Sequence, residues 1–185
     1  CREPAWGEEF CFSDHFVYIA NTGSLKVGIT RHVTDQVSSR WMDQGATQAT
    51  VMLRVPDRLT SGLVETLCKK HIGDKTNWRT MLKSKPDDAD LIAVRDELLA
   101  SIEGELEALK AEKGLQSVSA VDGPVHSIHY PVVTYPEKIK SINLDKTPEF
   151  EGVLTGVKGQ YWMLDGDRVI NMRKYAGYQV NVAIG

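Results

Sequence analysis

Cysteine is scarce in this chain: Cys1, Cys11 and Cys68 are the only three among 185 residues. So few thiols, in odd number, build no disulfide framework. That excludes the small secreted scaffolds that depend on one and points to a reducing, cytoplasmic setting. Long apolar runs are missing too. Nothing approaches the ~20 residues that a membrane-spanning helix needs, so no membrane partner is expected. The opening CREPAWGEEF lacks the basic region and long apolar core of a secretory leader. It also lacks an initiating methionine, and reads as the start of a fragment or a processed product. Strong charge of one sign is absent: the formal net charge is −3, which excludes a generally sticky polyanion binder. Internal repeats and low-complexity tracts are not found.

What is present is ordinary in amount and uneven in placement. An apolar fraction of 42% and a charged fraction of 25% suit a soluble globular protein. The length allows one domain with a smaller companion. Residues 1–85 carry 12 Lys/Arg against 9 Asp/Glu, residues 86–114 carry 3 against 9, and residues 115–185 carry 7 of each. The acidity is concentrated in one segment, and the first half is left free to meet a polyanion.

Four segments follow. Residues 1–14 hold Cys1 and Cys11, with His15 just beyond. Their spacing matches no standard zinc pattern, so two readings stand: a structural zinc site completed upstream, or a small buried thiol at Cys11. Residues 15–85 open with two apolar runs, Phe16–Ala20 and Leu25–Thr30, around Asn21-Thr22-Gly23-Ser24, which are hairpin signals. Gly28 inside the second run signals a bulge or a close approach by another group. A short helix is expected over 35–44, capped by Thr34 or Asp35, with Val37, Trp41 and Met42 inward and Arg40 beside them. A third strand over 47–55 precedes a helix over 60–72. That helix sets Cys68 in its apolar stripe and Glu65 at the stripe's edge, about 100° round from Val64. A second short helix is predicted over 78–83. Residues 86–114 read as one long acidic helix whose leucine stripe faces a core or, in a third reading, a second copy of the chain. Residues 115–185 turn to valine, tyrosine, glycine and proline. Candidate strands at 125–134, 151–157, 160–164, 168–171 and 178–184 predict a small antiparallel sheet or barrel. Its aromatic and basic residues, Tyr161, Trp162, Arg173, Lys174, Tyr175 and Tyr178, suit a core with a wet rim better than a base-stacking surface.

The first half thus sets Tyr18, Gly28, Arg31, Arg40, Glu65 and Asn77 on a β-β-α-β-α frame. Phosphodiester hydrolysis needs a base for water, a cation for developing phosphoryl charge and a carboxylate-held metal for the leaving oxygen. In this order the residues resemble the GIY-YIG nuclease superfamily. Phe16-Val17-Tyr18 stands at its first motif and Lys26-Val27-Gly28 at its second, and KVGIT matches the relaxed form of the latter. Two positions depart from the pattern: Phe16 replaces the first glycine and Lys26 the second tyrosine. Arg40 also lies about four residues beyond the commonest spacing, with Arg31 in reserve. A closer likeness, over most of the chain, is to an uncharacterised prokaryotic family known only as a domain of unknown function. It rests on KVGITR, RWMDQGA, TNWR, GVKGQYWMLDG and the cysteine-bearing opening.

The superfamily resemblance implies an α+β fold and a metal-dependent endonuclease acting on DNA or RNA. Tyr18 would be or orient the general base, its pKa lowered by Lys26. Arg40 or Arg31 would stabilise phosphoryl charge, Glu65 would hold Mg²⁺ or Mn²⁺, and Asn77 would brace the site. Gly28, Thr30, Trp78 and Arg79 would meet the substrate, Gly28 by letting a phosphate come close. The competing reading is a non-catalytic module that binds nucleic acid or ribonucleoprotein on the same frame.

Overall fold

A computed structural model describes residues 2–33 and 37–185. After a short helix α1 (Pro4–Phe10), strands β1 (His15–Asn21) and β2 (Leu25–Thr30) form the expected antiparallel hairpin, with Tyr18 opposite Gly28. Asn21 fixes the turn: its Oδ1 accepts from the Gly23 N–H and its Nδ2 donates to the Asp87 carbonyl. Gly23 takes φ +95°, a conformation open to glycine and strained for other residues. Next come α2 (Ser39–Asp43), β3 (Gln48–Val55), α3 (Arg58–Cys68) and α4 (Trp78–Lys83). β1 pairs with β3 on its other side and so lies at the sheet centre.

The alternation along β1 and β2 sends its two faces to different neighbours. Val17, Ile19 and Val27 enter the main core with Val64 and Cys68 of α3. Cys68 is fully buried, and that burial pushes its thiol up to about 12, so it is the core thiol its spacing predicts. Tyr18 and Ala20 face the other way, onto Trp41, Ala46, Ala49 and Val51.

Several expectations are corrected here. The α2 helix is five residues long and is capped by Ser38, whose Oγ accepts from the Arg40 N–H; Thr34 and Asp35 lie outside the described residues. Met42 is exposed rather than inward. The long acidic helix is two, α5 (Leu91–Ser101) and α6 (Glu103–Lys113), which meet at Ile102. Leu91, Leu98, Ile102, Leu106 and Leu109 are all buried in the main core. The leucine stripe is therefore covered by the chain's own sheet, which removes it as a self-association seam.

Beyond α6, β4 (Ser119–Ala120) and β5 (His126–Ser127) are two-residue pairings onto β3, where a longer strand is predicted over 125–134. The second sheet comprises β6 (Lys140–Ser141), β7 (Leu154–Lys158), β8 (Tyr161–Leu164) and β9 (Arg168–Asn171), in the order β6-β9-β8-β7. It is open and mixed, because β6 runs parallel to β9; it is neither antiparallel throughout nor a barrel. Residues 178–184, predicted as a strand, make no strand pairing and leave Val180, Val182 and Ile184 exposed. Among the described residues no helix is long and apolar enough to cross a membrane.

Candidate functional site

The candidate site lies on the tyrosine-bearing face of the hairpin. Tyr18 is fully buried, edge-on to Trp41 with ring centroids 5.8 Å apart, and its hydroxyl donates to Gln44 Oε1 at 3.0 Å. Gln44 follows Arg40 by one helical turn, so α2 delivers both to the same place. The Arg40 charge acts on the Tyr18 hydroxyl, and Glu65 acts on it from α3. Lys26, also buried, feels Arg40, Glu65 and Asp74. Tyr18 and Lys26, singled out by sequence reasoning on β1 and β2, thus both lie within electrostatic reach of Arg40 of α2 and Glu65 of α3.

The protonation states differ from the expectation. Burial raises the Tyr18 pKa to about 12, because removing a phenolate from water outweighs the opposing pull of Arg40 and the Gln44 hydrogen bond. The cation that acts on Tyr18 is Arg40, not Lys26. Burial, with Arg40 as a like charge, instead lowers the Lys26 pKa, while Asp74 and Glu65 partly restore it. Glu65 is only 21% exposed at its side chain and meets Lys69 at 3.5 Å; Lys69 also reaches Asp74 at 2.9 Å.

Gly28 is explained by a neighbour other than the one expected. A Cβ added there would lie 2.6 Å from both Cζ and Oη of Tyr18. The group that approaches Gly28 is the tyrosine ring across the hairpin, and it fills the space assigned to a phosphate. Thr30 is buried, its hydroxyl 3.0 Å from that of Ser38, so it ties the end of β2 to the start of α2 instead of facing a substrate.

The other predicted residues serve the scaffold. The Arg31 guanidinium lies 4.7 Å from the Phe10 ring and acts on His15, away from Tyr18. Asn77 caps α4, its Oδ1 accepting from the Arg79 and Thr80 N–H groups. Trp78 stacks on Tyr161, with centroids 5.3 Å apart and planes 8° apart, and Arg79 covers its ring at 4.3 Å. This stack packs α4 against the second sheet. Of the rim residues, Arg173 pairs with Asp43 and Lys174 with Asp145. Cys11 is a partly buried free thiol, and its carbonyl accepts from the Arg58 N–H. Cys1 lies outside the described residues, and among those described no three His, Cys, Asp or Glu gather as a metal site.

Two open concavities, of about 310 and 350 Å³, lie elsewhere. One borders β6 and β9 beside Lys146 and Phe150, and the other lies between β4 and α6. Neither is lined by Tyr18, Arg40 or Glu65. Sequence reasoning missed Gln44 as a site residue, although its place four residues after Arg40 was a usable signal. It also missed Asp74, which no local pattern marks.

Fold and site together define an α+β protein whose central hairpin carries a buried tyrosine, ringed by an arginine, a lysine and a carboxylate. The chain belongs to the family described as "Protein of unknown function (DUF2797)", whose model matches residues 1–180. Neither a curated protein nor a solved structure matches it.

Proposed function

We propose that this chain is a GIY-YIG-like, divalent-metal-dependent endonuclease that hydrolyses nucleic-acid phosphodiesters. The observation that carries the reading is that Arg40 and Glu65 both act on the Tyr18 hydroxyl and both act on Lys26. Arg40 is the exposed member and forms no ion pair among the described residues, which leaves its planar guanidinium for a phosphate. Lys26 lies within electrostatic reach of the same arginine and carboxylate, with its own charge disfavoured by burial.

Tyr18 is assigned the orienting role. With a pKa near 12 it stays protonated at neutral pH, so it holds Gln44 and Arg40 in place rather than accepting a proton. Glu65 suits Mg²⁺ or Mn²⁺: one carboxylate, with substrate phosphate oxygens and water, is a common way to hold such a hard cation. Bound there, the ion would supply charge neutralisation at the leaving oxygen.

Glu65→Gln tests this reading. Cleavage of labelled DNA and RNA oligonucleotides with Mg²⁺ or Mn²⁺ should fall by about a hundredfold, the order associated with losing one charge-stabilising group. Cleavage equal to the parent's overturns the mechanism.

A second reading, a non-catalytic module binding nucleic acid or ribonucleoprotein, is favoured by the complete burial of Tyr18 and by the pairing of Glu65 with Lys69. Salt-sensitive oligonucleotide binding without turnover under either metal would select it. A structural zinc on Cys1 and Cys11 is a separate proposal. Equal zinc content in the parent protein and in Cys11→Ser would remove it.

A further inference from the structure

The α2 helix presents two of the site's side chains, yet with five residues it is too short to hold itself in place. At its end the Arg40, Trp41 and Met42 carbonyls accept only from the turn that follows, from the N–H groups of Gln44, Ala46 and Gly45. Three separate parts of the chain close on that end. The Tyr130 hydroxyl lies 3.1 Å from the Met42 carbonyl and 2.9 Å from that of Ala46, and offers its one proton to this pair. Arg173 reaches Asp43 at 2.7 Å. Gly159, with φ +60°, is seated so closely that a Cβ would lie 3.0 Å from the Asp43 carbonyl oxygen and 3.1 Å from the Gly45 nitrogen.

Lys158, next to Gly159, is fully buried and donates to the Ser84 carbonyl at 2.9 Å. Its ammonium also lies 5.9 Å from the Tyr130 ring centroid and 5.2 Å from that of Tyr135. The Tyr130 hydroxyl keeps its proton across the neutral range, because burial and the Asp43 charge both raise its pKa. RWMDQGA and GVKGQYWMLDG, far apart in sequence, therefore meet at a single joint, with Asp43 and Gly45 from one against Gly159 from the other.

We propose that the second sheet, with the Tyr130 segment that is tied to β7 by the Val157 N–H to Pro131 carbonyl hydrogen bond, is part of the site's machinery. In this arrangement Tyr130 is a positioning residue: by fixing residues 42–46 it sets where Arg40 and Gln44 meet Tyr18. The inference rests on the nuclease reading for its consequence in turnover, but not for its consequence in structure.

Tyr130→Phe keeps the ring over Lys158 and removes only the hydroxyl. Amide exchange over 41–46 should speed up about tenfold, the equivalent of one hydrogen bond. Exchange in β1 and β2 should stay as in the parent. With a labelled RNA oligonucleotide and its DNA counterpart in Mn²⁺, kcat should fall about tenfold with KM unchanged, and Gln44→Ala should match it.

Faster exchange without any turnover in the parent would uphold the positioning and overturn the nuclease reading. Unchanged exchange over 41–46, or faster exchange with undiminished kcat in an active parent, would overturn the positioning role. Gly159→Ala is a second variant that strains the same joint from its other side, and it should raise exchange over the same six residues.

Discussion

Gly28→Ala separates two accounts of why a glycine stands inside β2. If the missing side chain made room for an incoming phosphate, the ligand-free protein would tolerate alanine. It would even gain about 0.4–1 kcal/mol from a less flexible unfolded chain, since Gly28 has no left-handed backbone to defend. The structure predicts the opposite sign. The new Cβ would lie 2.6 Å from Tyr18 Cζ and Oη, closer than real Cβ contacts come, and 3.1 Å from Cε1. The ring has nowhere to retreat. It is fully buried, packed against Trp41, and held through its hydroxyl by Gln44.

Overpacking of this kind costs about 1–3 kcal/mol, and loss of the Gln44 hydrogen bond adds roughly 0.5–1.5 kcal/mol. For a domain of this length the sum corresponds to a fall in Tm of about 5–15 °C. Thermal unfolding of Gly28→Ala, Tyr18→Ala and the double variant forms a cycle that isolates the pair. With Tyr18 truncated, the cost of the alanine at 28 should vanish. A Gly28→Ala protein as stable as the parent, or more so, would refute the reasoning, and so would a double variant whose losses simply add.

Two further outcomes follow from groups outside the tyrosine cluster. Asn77→Ala should lower stability by about 1 kcal/mol through loss of the α4 cap, with Asn77→Asp close to the parent. Denaturant titration checks this, and an intact stability with lost turnover would restore Asn77 to the site. Lys158 is fully buried, and burial lowers its pKa from 10.5 to about 8. The folded-state value lies below the unfolded one, so between pH 8 and 10.5 the unfolded chain binds more protons and the fold gains stability as pH rises. Below pH 8 the penalty for burying the ammonium is at full size, on the order of 3 kcal/mol. Lys158→Met, which loses the Ser84 hydrogen bond but not the shape, should be as stable as the parent or more so at pH 7. It should also lack the parent's rise in that window. A parent whose unfolding free energy is flat from pH 8 to 10 would sink this account.

Local pattern carried the sequence reading furthest. Phe16–Ala20 and Leu25–Thr30 alternate with period two around a turn whose Asn21 and Gly23 are its own best predictors, and the strands fall where the alternation places them. The stripe around Cys68 likewise fixed α3 and left Glu65 at its edge. Where the pattern could not see was in contacts between distant segments. The break at Ile102 is different, because it was marked locally: it falls between Ser101, whose hydroxyl donates to the Glu97 carbonyl, and Gly104 in the first turn of α6. The failed strand at 178–184 has the right alternation, but no sheet edge in the described chain receives it. Arg31 was a candidate because it stands nearer to Gly28 than Arg40, whose spacing runs long. Nothing in KVGITR could reveal that Phe10, twenty-one residues earlier, would sit under its guanidinium.

The site itself shows the same division and adds a physical lesson about lysine for tyrosine. At Lys26 the sequence breaks the paired-tyrosine pattern, and a cation there suggests a helper that lowers the neighbouring phenol's pKa. In the fold, Lys26 is buried and its own charge is disfavoured, by desolvation first and by Arg40 second. A group that struggles to keep its proton makes a weak electrostatic partner for Tyr18, and burial wins there too. Arg40 is exposed on its own helix and is the cation that acts on the Tyr18 hydroxyl. Its position depends in turn on residues 42–46 and on the tyrosine, glycine and arginine that grip them from the far half of the chain. Any chemistry at the hairpin is therefore a property of both sheets. The second sheet, which looks like an appendage in sequence, is what gives a five-residue helix a fixed place beside Tyr18.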